Sequence, residues 1–103
     1  MIKVSVFYPN QEGARFDMDY YLQKHMPMVR QKMAGAMKSM GVEQGIAGGA
    51  PGAPSPYRVI AHMTFDSMEA YQTAFSAHAQ TIMADIPNYT DLQPLVQISE
   101  IKI

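Results

Sequence analysis

A chain of 103 residues with a net charge of −1 has room for one domain and lacks the basic surplus that a nucleic-acid partner requires. It contains no cysteine, which excludes disulfides, thiolate nucleophiles and cysteine-ligated metals and fits a cytoplasmic protein. At 48% hydrophobic residues it carries more apolar surface than so small a core absorbs, and a homodimer interface accounts for the surplus.

Residues 2–8 alternate, with Ile2, Val4, Val6 and Tyr8 on one face and Lys3, Ser5 and Phe7 on the other. This predicts a half-buried strand, and the start MIKVSVFYP reads as that strand rather than as a signal peptide. Pro9, Asn10 and Gly13 make a loop, and Asp17 is placed to cap a first helix. Its apolar positions, Met18, Tyr21, Leu22, Val29, Met33, Ala36 and Met40, fall on one side and carry the predicted helix to Gly41. Pro27 interrupts it by removing a donor and crowding the carbonyl of Gln23, so a kink or short break is expected there, with Met26 pushed off helical angles. Lys32 on the apolar side of a straight helix is a second sign of that break.

A weak second strand is expected from Val42 to about Gly48. Residues 45–56, with four glycines and three prolines, form a surface loop, either a plain connector or a lid over a pocket. Tyr57–Phe65 alternates and predicts a third strand. Asp66 or Ser67 caps a second helix whose stripe is Met68, Tyr71, Phe75, Ile82 and Ile86, and Pro87 stops it. Leu95–Ile103 is the last strand. No run approaches the roughly 18 apolar residues of a membrane span.

The order strand–helix–strand, strand–helix–strand is the split βαβ, ferredoxin-like pattern. It predicts one α+β domain over 1–103, with a four-stranded antiparallel sheet and two helices on one face. The other face mixes apolar residues with Ser, His and Gln, and a second copy of the sheet would cover it and close a dimeric α/β barrel.

The segment Phe16–Pro27, FDMDYYLQKHMP, carries the pattern F-D-x-x-Y-Y-x-x-x-H-x-P. With the strand MIKVSVFYPN before it, and GGAPGAP followed by a strand and SMEAY, the chain resembles the EthD family over essentially its whole length. The resemblance implies a homodimeric α/β barrel and kinship with small monooxygenases, isomerases and polyketide-tailoring enzymes. The founding member accompanies a haem monooxygenase system in ethyl tert-butyl ether degradation, so the resemblance also implies a role accessory to an oxygenase pathway. Many relatives are called reductases, yet this sequence has no G-x-G-x-x-G after a strand, and a shared fold does not transfer a reaction.

His25 falls within the apolar stripe of the first helix, between Tyr21 and Val29, beside the Pro27 kink and matching the histidine of the family pattern. It is the first candidate for an acid or base, against the plainer reading of a satisfied core histidine. His78 lies in the stripe of the second helix, and the two rings are expected to border one pocket, with Tyr21 as a third catalytic candidate. Tyr8, Tyr20, Phe65 and Asn88 are candidate substrate contacts, and Tyr89 is placed with Asn88 at a pocket mouth. His62 belongs to the open sheet face, where a barrel interior or dimer interface would hold it. No H-x-x-x-H or H-E-x-x-H spacing exists, so neither metal nor cofactor is expected. Six of the ten methionines fall between Met18 and Met40, as core packing or as an adaptable wall around an apolar ligand. Three functions are open. One is a cofactor-free enzyme doing acid–base or oxidoreductase-type chemistry on a small hydrophobic or aromatic molecule; the others are a non-catalytic carrier of such a molecule and a structural dimer.

Overall fold

A computed structural model of the chain describes residues 1–103. Strand β1 (Ile2–Pro9) is followed by α1 (Met18–Tyr20), a π-helical turn (Tyr21–His25) and α2 (Met26–Lys32). Strands β2 (Met37–Gln44) and β3 (Tyr57–Phe65) come next. Helix α3 (Met68–Asp85), a 3₁₀ turn (Ile86–Asn88) and β4 (Leu95–Glu100) complete the chain. The sheet order is β2-β3-β1-β4, and every pairing is antiparallel. Strand β3 therefore lies between β1 and β2, which makes the fold ferredoxin-like.

The alternation in β1 and β3 sorts the faces. Val4 lies opposite Met63 and Val6 opposite Ala61, on the side that the helices cover. Ser5 lies opposite His62 and Phe7 opposite Ile60, on the side that no helix covers. In β4, Val96 and Ile98 share the helix side but lie at the sheet edge beyond the helices, and both are exposed. No helix is long and apolar enough to cross a membrane.

The first helical segment departs from the sequence reading in three ways. Met26 is helical, at φ −65° and ψ −38°, not displaced by the proline that follows it. The strain is absorbed one turn earlier, where the Met26 amide donates to the carbonyl of Tyr21 across a π turn. The wider turn gives the Pro27 ring room beside the Gln23 carbonyl, so the chain adjusts without breaking. The helix also ends at Lys32 rather than Gly41, and β2 begins at Met37, about five residues earlier than the pattern suggested. Met33, Met37 and Met40 are spaced as a helix would space them. The amides of Ala36 and Met37 instead turn back onto the Met33 carbonyl, and Met37 pairs with Phe65 in the sheet. Strand β4 stops at Glu100, short of Ile103.

The second helix follows its sequence signals. The Ser67 side chain accepts the Ala70 amide at 3.1 Å, and Pro87 converts the end of the helix into a 3₁₀ turn. On the open face, an added Cβ at Gly41 would stand 2.5 Å from Cε1 of His62, so only glycine lets that ring lie against the β2 backbone. His62 Nδ1 is buried there without a hydrogen-bond partner.

Candidate functional site

Two clusters fill the space between helices and sheet. One is aliphatic and methionine-rich, built on Val4, Val29, Met33, Met63, Phe65 and Ile82. The other is aromatic, built on Tyr8, Tyr21, Met26, Val59, Ala61, Tyr89 and Leu92. Between them lies a cavity of about 490 Å³. Of its 23 lining residues 17 are hydrophobic, which suits a small apolar ligand held by a few polar groups.

The polar groups come from the aromatic side, and the π turn places two of them. Tyr21 and His25 are both buried, with rings nearly parallel, 14° apart in plane and 5.6 Å between centroids. The third polar wall residue is Tyr89, fully buried in the connection after α3. That connection is fastened to the start of the first helix. The Asp17 amide donates to the Tyr89 carbonyl at 2.7 Å, and the Thr90 hydroxyl donates to the Arg15 carbonyl at 2.6 Å. The Arg15 guanidinium in turn donates to the Pro87 carbonyl at 2.6 Å. Tyr89 is therefore held rigidly.

A chain of hydrogen bonds runs through these groups. Tyr8 and Tyr89 join their hydroxyls at 2.7 Å, and the Tyr89 hydroxyl lies 3.4 Å from His25 Nε2. His25 Nδ1 is 2.9 Å from Asp85 Oδ2, at the last residue of α3. The Tyr20 hydroxyl donates to Asp85 Oδ1 at 2.6 Å, and the Asn88 amide donates to the same oxygen at 2.9 Å. Burial alone would raise the Asp85 carboxyl. Donors from Tyr20, Asn88 and His25, together with the charge of a protonated His25, outweigh it and hold the group below its ordinary range. Burial dominates at His25 and lowers its pKa, although the bond to Asp85 and its charge pull the other way. At neutral pH the pair is thus an ionised carboxylate beside a neutral imidazole. Burial likewise raises the phenols of Tyr8, Tyr21 and Tyr89, so all three stay protonated.

Such a pair is what general base catalysis uses, a ring nitrogen free to accept and its partner nitrogen oriented by a carboxylate. No group of three or more histidine, aspartate or glutamate side chains comes together to hold a metal.

The expected site residues divide. His25, Tyr21 and Tyr8 line the cavity. His78 does not, although Phe75 and Ile82 on either side of it along the α3 stripe do, and the residue is half-buried. Phe65 is completely buried in the aliphatic cluster against Tyr71 rather than facing the cavity. Tyr20 and Asn88 lie outside the cavity wall and act on Asp85 from its solvent side. Tyr89 is a central wall residue rather than part of a mouth. No residue of 45–56 lines the cavity, so in one chain the glycine–proline loop is not its lid. Of the methionines between Met18 and Met40, Met26 and Met33 reach the wall.

Asp85 was not visible as a site residue in the sequence. One signal pointed to it: an acid in the last turn of a helix opposes the helix dipole and calls for compensating donors.

The EthD domain family model matches residues 12–93. The chain belongs to the EthD family. The site just described lies almost wholly within the matched segment, with Tyr8 outside it. The crystal structure of an EthD-like protein from Ralstonia eutropha JMP134 superposes with a TM-score of 0.94 at 45% identity, covering 99% of this chain and 92% of that one. An EthD family protein from Bacillus halodurans C-125 gives 0.66 at 22% identity, with 99% of each chain covered. A dimeric ferredoxin-like protein from an uncultured marine organism gives 0.65 at 9% identity, covering 100% and 96%, a likeness of fold alone. No curated protein matches the sequence.

Proposed function

We propose that this EthD family member binds a small hydrophobic or aromatic molecule in the cavity between sheet and helices. There it performs cofactor-free acid–base chemistry with His25 as the base. The observation that carries this reading is the orientation of His25, with Nδ1 tied to Asp85 and Nε2 turned as an acceptor toward the tyrosine hydroxyls of a mostly apolar cavity. An isolated core histidine needs no carboxylate held by two further donors; a base does. The absence of cysteine suits a reducing compartment such as the cytoplasm. The uncovered sheet face, with Phe7 and Ile60 beside the unpartnered His62, suits a second copy of the chain, as does the dimeric relative of the same fold. Oxidoreductase-type chemistry, and service to an oxygenase pathway, would need a reactant beyond these residues.

The test is proton exchange at a carbon acid of the right shape. In D₂O the protein should accelerate hydrogen–deuterium exchange beside the carbonyl of 2-tetralone, and His25→Ala should abolish the acceleration while the fold persists by circular dichroism. Binding of 2-tetralone without exchange would favour the carrier reading. Neither binding nor exchange would leave His25 as a core residue.

A further inference from the structure

Asp85 fixes the direction of every proton in the chain of hydrogen bonds. Its carboxylate accepts at both oxygens, so His25 Nδ1 carries the hydrogen that faces it. A neutral ring then has a bare Nε2, which accepts, and the hydroxyl beside it is that of Tyr89. With its proton aimed at His25, the Tyr89 oxygen accepts from Tyr8. Tyr8 is thus the last donor on the way to His25; the Tyr21 hydroxyl is the other neighbour of its oxygen, which still keeps a second acceptor position. Its ring lines the cavity.

Resting on the acid–base reading above, we infer that the group meeting the ligand is the Tyr8 hydroxyl, and that the ligand presents a phenol or enol O–H to it. The ligand O–H bond breaks as Tyr8 takes that proton. Tyr8 gives its own to Tyr89, and Tyr89 gives its own to His25 Nε2. The products are a ligand oxyanion and an imidazolium paired with the Asp85 carboxylate; three O–H bonds break, two O–H and one N–H form, and nothing is oxidised or reduced. Tyr89 is the only bridge between Tyr8 and His25. Its contact with His25, at 3.4 Å, is the loosest link and must tighten before the proton crosses. Burial of the apolar remainder of the ligand against Val6, Met63 and Val96 would orient its oxygen toward Tyr8.

The test uses 4-nitrophenol, whose phenolate absorbs apart from the phenol, and 4-nitroanisole, which has the same shape without the proton. The wild-type protein should bind the phenol about tenfold more tightly, the worth of roughly 1.4 kcal/mol for one good hydrogen bond. Bound nitrophenol should be partly phenolate at a pH where the free compound is not, with matching protonation of His25 by ¹⁵N NMR. Tyr8→Phe should bring the two affinities together. Tyr89→Phe should retain binding but remove both the phenolate band and the His25 response. Phenolate and imidazolium forming as fully in Tyr89→Phe as in wild type would overturn the relay and leave His25 as a base that meets the ligand directly. Equal wild-type affinity for the two compounds would overturn the role of Tyr8. Binding of neither would remove the relay and the acid–base reading together.

Discussion

The two clusters under the helices obey different rules. In the aliphatic one, Phe65, Val4, Val29 and Met33 need only exclude water and fill volume, and they present no polar atom to one another. In the aromatic one, Tyr8, Tyr21 and Tyr89 bring hydroxyls into the core beside His25, and each hydroxyl placed there costs desolvation unless it is bonded. The first region fills volume, and the second holds the groups of the proposed proton path. Nothing about the ferredoxin-like frame requires the second arrangement, since an all-aliphatic core would close the same sheet.

The sharpest way to break this contrast is to empty the aliphatic side. Phe65 is fully buried, and Phe65→Ala should cost about 3–5 kcal/mol by denaturant unfolding. A loss below about 1 kcal/mol would mean that this region does not carry the fold. Asp85→Asn should cost less, about 2 kcal/mol, the range for hydrogen bonds to a charged group in a partly exposed place. Its larger effect should be on His25. Without the anion the ring loses its fixed tautomer, and the exchange activity predicted for the wild type should fall by more than its stability does. Equal losses of the two would make Asp85 a structural residue only.

How much of this was legible depended on whether a signal was local. The alternation of β1 and β3, the Ser67 cap and the Pro87 stop are written in neighbouring residues, and the structure follows them. The boundary between α2 and β2 was not legible, because Met33, Met37 and Met40 fit a helical period while the turn over Met33–Ala36 is set by tertiary pairing of Met37 with Phe65. The π turn was half legible: Pro27 announced trouble, but where the chain would absorb it depended on packing Tyr21 and His25 into the same cluster. The site itself was legible at His25 and illegible at Asp85, which is 60 residues away in sequence and reaches it only once α3 has docked. His78 misled because a helical wheel shows which side a residue is on, not whether its side chain reaches the cavity, which its stripe neighbours Phe75 and Ile82 do.

The pH profile gives a smaller effect with a definite sign. Burial places the folded-state pKa of His25 below its unfolded value near 6.5, so the unfolded chain binds the proton more tightly. The stability tied to neutral His25 is complete above pH 6.5 and is lost as pH falls toward the lowered folded value. Asp85, also lowered, adds a further loss only once pH drops below about 3.8. Tyr8, Tyr21 and Tyr89 surround the ring and stay protonated throughout this window. Below pH 6.5 the slope should approach but not exceed about 1.4 kcal/mol per pH unit, the limit for one proton. His25→Gln should flatten it. A slope that survived this substitution would place the acid-sensitive group elsewhere.

Met33→Leu should have the smallest effect, and it bears most directly on what the methionines are for. Met33 is buried at the end of α2, packs within the aliphatic cluster and also faces the cavity. Leucine conserves the volume, so the cost in stability should stay below about 1.5 kcal/mol whichever role the side chain plays. The two roles separate in binding. A thioether that only packs can be replaced with no change in affinity for either 2-tetralone or 4-nitroanisole. One that shapes an adaptable wall loses its three free torsions to a branched side chain, so the variant should keep one of those ligands and bind the other several-fold less well. Unequal losses would extend the functional region into the cluster that fills volume, and the division between the two halves of the core would then run through Met33 rather than beside it.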